Sequence, residues 1–189
     1  MYDYCQWYFK RECYQIDADM GIIPLPFVAV DRYKSQYSGE KDIDILCMFG
    51  QVNDGLRKEV VEVCTKLKSE GHRVLIGSGM SYEKYKEAIV KSYIVIDAWG
   101  GGDTCARFWE ATFNKSCLFS QKYNILMPNK FTDAVNFVEY STIEEFEEKI
   151  RYYLDHNDEC IEIGNAGYNH TVKYHVGDKQ FEYIMKNLN

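Results

Sequence analysis

The sequence predicts an α/β protein, a Rossmann-like three-layer sandwich built on a mainly parallel sheet. Three observations lead there. From residue 43 onward, short apolar runs alternate with amphipathic stretches of about 10 to 15 residues, the rhythm of strands joined by crossover helices. One of those runs, Tyr93 to Ala98, feeds three successive glycines and then a helical pattern, a common way to hold an anion at the carboxyl edge of a parallel sheet. The 189 residues, 46% hydrophobic and 27% charged, show no repeat or low-complexity tract, so one globular domain is expected.

Residues 1–20 read as irregular or weakly helical, with Tyr2, Tyr4, Trp7, Tyr8 and Phe9 crowded together. Such an aromatic cluster either joins the core or packs on a neighbour. In the run Ile22 to Val30, Pro24 and Pro26 remove backbone donors, which argues for an extended surface connector rather than a central strand. Residues 31–42 are polar and cross to the main domain, so the division is a connector at 1–40 and a Rossmann-like domain at 41–189.

Ile43 to Phe49 is the first expected parallel strand, ended by Gly50 and a polar turn through Asn53, Asp54 and Gly55. Leu56, Val60, Val63, Cys64 and Leu67 then recur at helical spacing until Gly71. His72 to Gly77 reads as a second strand, and Ser81 caps a helix carrying Tyr85, Ala88 and Ile89. The third strand, 93–98, enters the glycine turn, after which Asp103 or Thr104 is the expected cap of a helix running to about Asn114. Ser116 to Ser120 is a fourth strand and Val135 to Tyr140 a fifth. Thr142-Ile143-Glu144-Glu145 is a capping-box signature for a helix through Leu154. One last helical region begins near Asp158, tolerates Gly164 and Gly167, and ends in the segment 174–188.

The formal net charge of -7 argues against general nucleic-acid binding, while leaving room for one small basic pocket. Seven cysteines without a CxxC predict neither a disulfide scaffold nor structural zinc, and therefore a reducing, cytoplasmic compartment. The four histidines show no HxH or HExxH spacing, so no metal and no other cofactor is expected. No stretch has the roughly 20 apolar residues that a membrane span requires.

The candidate site lies at the glycine turn. Gly101 and Gly102 let the backbone approach a bulky ligand, and Asp103 and Thr104 open the next helix. Arg107 and Glu110, three residues apart, share a helical face. A guanidinium suits phosphate, and an ionised carboxylate accepts from hydroxyls, so the pair describes a nucleotide or nucleotide-sugar. Arg107 reads alternatively as an ion-pair partner of Glu110 or of an upstream acid. Asn53, Asp54 and Arg57 sit at the first strand's exit, where Arg57 reaches a phosphate or simply solvent. Lys10 and Arg11 add an anion contact if the N-terminal segment folds back, and His170 and His175 lie near the last helix. The glycines match neither GxGxxG after a first strand nor a P-loop, and no G-x-S-x-G elbow exists.

These residues resemble a known family. The segment from Tyr85 through the glycine turn to Arg107-x-x-Glu110, and the helix from Phe146 to Leu154, are similar to the C-terminal half of two-domain GT-B glycosyltransferases. The nearest forms are the group 1-like spore-maturation transferases and, more distantly, exostosin-type enzymes. Pro24-Leu-Pro-Phe27 behind Phe9-Lys-Arg-Glu12 looks like their interdomain connector, and His175 with Lys179 like their closing helix.

The resemblance implies a UDP- or GDP-sugar donor, with Glu110 on the ribose hydroxyls. It puts Asp103, Thr104 and Arg107 toward the diphosphate and Arg57 as a second cation. It implies transfer of the sugar to a hydroxyl acceptor without a bound metal, and a missing N-terminal domain or a partner subunit to complete the acceptor side. Two other readings remain open. One is a non-catalytic nucleotide-binding or protein-interaction module of the same fold. The other is a small nucleotide hydrolase or nucleoside-modifying enzyme, for which Asp103 is the nearest general base.

Overall fold

A computed structural model describes residues 5–50, 52, 55–100 and 102–188. Five parallel strands form the central sheet: β3 (Ile43–Met48), β4 (Val74–Gly77), β5 (Ser92–Asp97), β6 (Cys117–Gln121) and β7 (Val138–Tyr140). They are ordered β4-β3-β5-β6-β7, so the expected parallel α/β architecture is present. The N-terminal segment adds a two-residue parallel pair, β1 (Phe9–Lys10) with β2 (Ile23–Pro24), flanking the short helix α1 (Gln15–Asp19).

The helices are α2 (Gly55–Ser69), α3 (Tyr82–Lys91), α4 (Ala106–Phe113), α5 (Ile143–Leu154), α6 (Asn157–Tyr174) and α7 (Gly177–Asn187). Each strand residue pair splits between two cores, as the period of two along a strand demands. Ile45, Cys47 and Phe49 of the first run join Val60, Cys64 and Leu67 of α2 and Phe146 and Ile150 of α5. Leu46 and Met48 point the other way, to Ala88 and Ile89 of α3 and Phe108 and Trp109 of α4. Helix α6 starts in the first layer with Cys160 and Ile163 and ends against the second, where Tyr168 stacks on Phe113.

Several boundaries differ from expectation. The last helical region is two helices, broken at His175 and Val176; there His175 accepts Ala29 N–H through its carbonyl, 2.8 Å away. Gly164 and Gly167 are required rather than tolerated. A Cβ on Gly164 would lie 2.5 Å from the Lys115 carbonyl oxygen, and one on Gly167 2.6 Å from that of Asn136. The fifth strand is confined to Val138–Tyr140. Half of the capping box at Thr142 forms: its side chain accepts Glu145 N–H at 3.2 Å, while the Glu145 carboxylate accepts Ser141 N–H, one residue before the cap, at 2.8 Å.

Of the connector, residues 29–35 lie on the second layer. Asn114 donates to the Tyr33 carbonyl at 2.8 Å and accepts Ser35 N–H at 2.8 Å. Lys41 drives a buried ammonium against the carbonyls of Val90 and Ser92 and the Ser116 hydroxyl, and burial pulls it down to about 8. Among the described residues no helix is long and apolar enough to cross a membrane.

Candidate functional site

The chain leaves β3 for β4 on one side and returns to β5 on the other, so β3 and β5 diverge at their carboxyl ends. Ligands of open α/β sheets bind at such a reversal. A cleft of about 420 Å³ lies there, lined by Met48, Gly77, Ser78, Met80, Ser81 and Lys84 among others. A smaller hollow of about 160 Å³ continues it past Phe49, Gly50 and Tyr85. Two roomier hollows, about 510 and 520 Å³, flank the connector at residues 25–28. Charged and aromatic side chains line those hollows too, Lys173, Tyr174, Lys179 and Tyr183 in one and Arg11, Phe27, Arg32 and Tyr33 in the other, but the buried ion pair and its tyrosine network converge at the strand reversal.

That convergence begins with Asp97, the last residue of β5 and 2% exposed. Its Oδ1 accepts from Arg107 Nη1 at 3.3 Å and from the Cys105 thiol at 3.0 Å, and its carbonyl accepts the Tyr140 hydroxyl at 2.8 Å. Burial raises the Asp97 carboxyl, while Arg107, Cys105 and Arg57 act in the opposite direction. For Arg107, burial works against the charge, but Tyr85, Asp97 and Cys105 together hold the guanidinium above its ordinary value. The Cys105 thiol is pushed up to about 12, by burial first and by Asp97 next, so it is no nucleophile near neutral pH.

From Arg107 the network continues outward. Its Nε donates to the Tyr85 hydroxyl at 3.2 Å, and that hydroxyl also faces Glu110. Glu110, 5% exposed, accepts the Tyr82 hydroxyl at 2.9 Å. Burial lifts its carboxyl, with Tyr82, Tyr85 and Arg107 opposing. Both phenols are raised, by burial before any charge. The result is an unbroken polar chain, Asp97–Arg107–Tyr85–Glu110–Tyr82, from the buried strand end to a half-exposed tyrosine ring.

The sequence candidates fall around it as follows. Arg107 pairs with an upstream acid, Asp97, and not with Glu110. Arg57 donates from Nη2 to the Ala98 carbonyl at 2.8 Å, and its guanidinium lies 4.8 Å from the Phe49 ring centroid. Arg107 lies the same distance from that ring, so two cations converge on Phe49. Gly101, Asn53 and Asp54 lie outside the described residues.

The helix cap is Cys105, which corrects the expectation of Asp103 or Thr104. Both are buried immediately before it. Asp103 commits one oxygen to the Tyr14 hydroxyl at 3.1 Å and the other to Asn124 N–H at 2.6 Å, which leaves it poorly placed as a general base. Thr104 Oγ1 is buried and takes no hydrogen bond from the described residues.

The N-terminal segment does fold back, but Lys10 pairs with Asp17 at 2.7 Å and Arg11 covers Phe27 at 4.3 Å. Its contact with the glycine turn is Glu12, a residue the sequence reading did not single out; its place beside two cations was the only signal. His170 and His175 both bond the Asn129 carbonyl, at 2.8 and 3.0 Å. Among the described residues no cluster of three or more His, Cys, Asp or Glu side chains could hold a metal.

This architecture is shared by solved glycosyltransferase structures. Anabaena Alr3699/HepE in complex with UDP matches 96% of this chain and 63% of its own at 9% identity, with a TM-score of 0.66. A mutant of S. aureus TarM, solved with fondaparinux, α-GlcNAc-glycerol and UDP, matches 89% of this chain and 39% of its own at 12% identity (TM-score 0.64). The C-terminal domain of a group 1 family glycosyl transferase, LpcC from Francisella tularensis, matches 78% of this chain and 94% of its own at 11% identity (TM-score 0.53). The chain thus spans less than two thirds of HepE and well under half of TarM but nearly all of the isolated LpcC domain. No curated protein matches it in sequence. The fold is that of a GT-B-type glycosyltransferase domain, and the model of the Glycosyl transferase-like family matches residues 57–186. With most of its length inside that match, the chain belongs to the Glycosyl transferase-like family.

Proposed function

We propose that this chain is the donor-binding half of a GT-B glycosyltransferase, seating a nucleotide-diphosphate sugar at the β3/β5 divergence for transfer to a hydroxyl acceptor. The observation that carries the reading is the pairing of Arg57 and Arg107 around Phe49 beside the buried Glu110. Two guanidinium groups in a low-dielectric edge suit a diphosphate, and a carboxylate already accepting from phenols suits ribose hydroxyls. The Tyr82 hydroxyl fills one acceptor position on Glu110, so a ribose must share or replace it. UDP in the HepE and TarM structures favours a uridine donor over a guanosine one.

Within the family we infer the group 1-like spore-maturation type, on the strength of the Arg107-x-x-Glu110 segment. We take residues 1–40 as a connector laid on a nucleotide-sugar-binding domain at 41–189. The exposed Trp7, Tyr8 and Phe181 support a further domain or subunit beside it, which would supply the acceptor side. Free thiols support a cytoplasmic setting.

Calorimetric titration with UDP, GDP and their sugars tests the proposal. The folded protein is expected to bind one of them, and Glu110→Ala to weaken that binding about 10-fold through loss of a buried acceptor. Absence of binding at millimolar concentration would sink the reading. Binding indifferent to Glu110→Ala would move it toward a module that uses the fold without this site.

A further inference from the structure

The glycine turn has a different charge at each end. A Cβ on Gly100 would sit 2.8 Å from Arg57 Nη2, whereas one on Gly102 would sit 2.9 Å from the carboxylate carbon of Glu12. A cation lies against the first glycine and a carboxylate against the third.

The carboxylate is fixed in place. Glu12 Oε2 accepts Asp103 N–H at 3.0 Å. On its far side the Cys13 carbonyl accepts Leu126 N–H at 2.7 Å, and the Tyr14 hydroxyl donates to Asp103 at 3.1 Å. The remaining oxygen, Oε1, is buried and takes no hydrogen bond from the described residues; Arg11 Nε stands 3.4 Å away as an ion-pair neighbour only.

A buried acceptor without a donor is costly, and buried polar groups in folded chains are nearly always satisfied. What could satisfy this one is restricted. A phosphate oxygen has no proton to give and would be repelled, and Glu12 already occupies the Asp103 amide that a phosphate would use. A sugar hydroxyl has a proton to donate and no charge.

Resting on the nucleotide-sugar reading above, we propose that Glu12 reads the donor's sugar. Its Oε1 accepts a sugar hydroxyl above Gly102, and the diphosphate lies toward Arg57 and Arg107. The connector is then part of the donor site. The absence of a side chain at Gly102 is what admits the Glu12 carboxylate.

The test compares nucleotide-sugars with the bare diphosphates. Wild type, Glu12→Gln and Glu12→Ala are titrated with UDP, UDP-glucose, UDP-N-acetylglucosamine, GDP and GDP-mannose, and thermal unfolding is followed in parallel. The sugar nucleotide that wild type binds should weaken about 5-fold or more in Glu12→Ala and by less in Glu12→Gln, while the matching diphosphate shifts less than about 2-fold. If Glu12→Ala loosens the connector, the isosteric Glu12→Gln decides alone.

Equal weakening of both ligands would overturn the inference, because a merely structural glutamate acts on both. Tighter diphosphate binding would also overturn it, making Glu12 a resident anion that phosphate displaces. Binding of no nucleotide by wild type would overturn the nucleotide-sugar reading itself and this inference with it.

Discussion

Removing the charge of Asp97 tests whether the polar chain at the sheet edge is an ionic structure or a set of neutral hydrogen bonds. In Asp97→Asn the side-chain volume and one acceptor oxygen persist, so the Cys105 thiol keeps a partner. What disappears is the counter-charge of Arg107, whose side chain is 14% exposed against 2% for Asp97. Stripping one member from a buried ion pair costs about 3–5 kcal/mol, since the remaining charge stays buried. Arg107 keeps the Tyr85 hydroxyl and the Phe49 face, which puts the expected loss at the low end, about 3 kcal/mol. For a chain of this length that corresponds to a fall in Tm of roughly 6–12 °C.

Urea unfolding at pH 7 gives the loss directly, and the double variant Asp97→Asn/Arg107→Met completes a cycle. The double variant should recover part of the loss, because an apolar side chain in place of the stranded guanidinium removes a buried charge. The pH dependence carries a sign. The folded Asp97 holds its proton more tightly than the unfolded one, because its carboxyl is raised. Its contribution is therefore fullest in acid and is lost as pH rises from the ordinary carboxylate range through the raised value. A loss below about 1 kcal/mol at pH 7 in Asp97→Asn would refute the ionic picture, since a carboxyl already neutral has no charge to lose.

Two further outcomes test the surroundings. Gly164→Ala should destabilise by about 2 kcal/mol in urea, overpacking against an unyielding backbone carbonyl outweighing a helix-propensity gain of about 1 kcal/mol. Gly177→Ala, with nothing within 4 Å, should be near neutral, and equal stabilities for the two variants would show that α6 has room to shift. His175 is pulled by burial from 6.5 to about 4, so its neutral form is favoured in the fold. Its stabilisation is complete above pH 6.5 and is lost as pH falls toward 4, a loss of roughly 3 kcal/mol at most. His175→Gln should flatten that part of the stability curve, and an unchanged acid limb would remove His175 as its source.

The fold was legible because its signals are local and repeated. Gly71 stops α2 with a φ of 105°, Thr142 caps α5 through Glu145 N–H, and the first four expected strands begin and end within about two residues of expectation, while the fifth starts three residues late. The break between α6 and α7 was not legible, because its cause is a long-range bond from Ala29. At the site, the pairing of Arg107 with Asp97 was among the readings open from sequence. The tyrosines were not, because Tyr82 and Tyr85 reach Glu110 only once α3 and α4 are packed side by side. Glu12 was hidden for the same reason at greater range: it meets Asp103 across 91 positions of chain.

The connector changes what the residues of α4 mean. On a helix with one wet face, Arg107 and Glu110 would be exposed and free to take a ligand. Instead Phe108 through Phe113 are all buried, because α6, α3 and residues 29–35 cover the sides that the sheet does not. A glutamate in such a helix persists only with partners, and here the partners are phenols that also line or border the cleft. The Tyr82 hydroxyl already holds one acceptor position on Glu110, so on the proposed donor-site reading a ligand hydroxyl shares or replaces that bond. On that proposed reading selectivity follows from the competition: a ligand gains most where its hydroxyls satisfy Glu110 better than Tyr82 does.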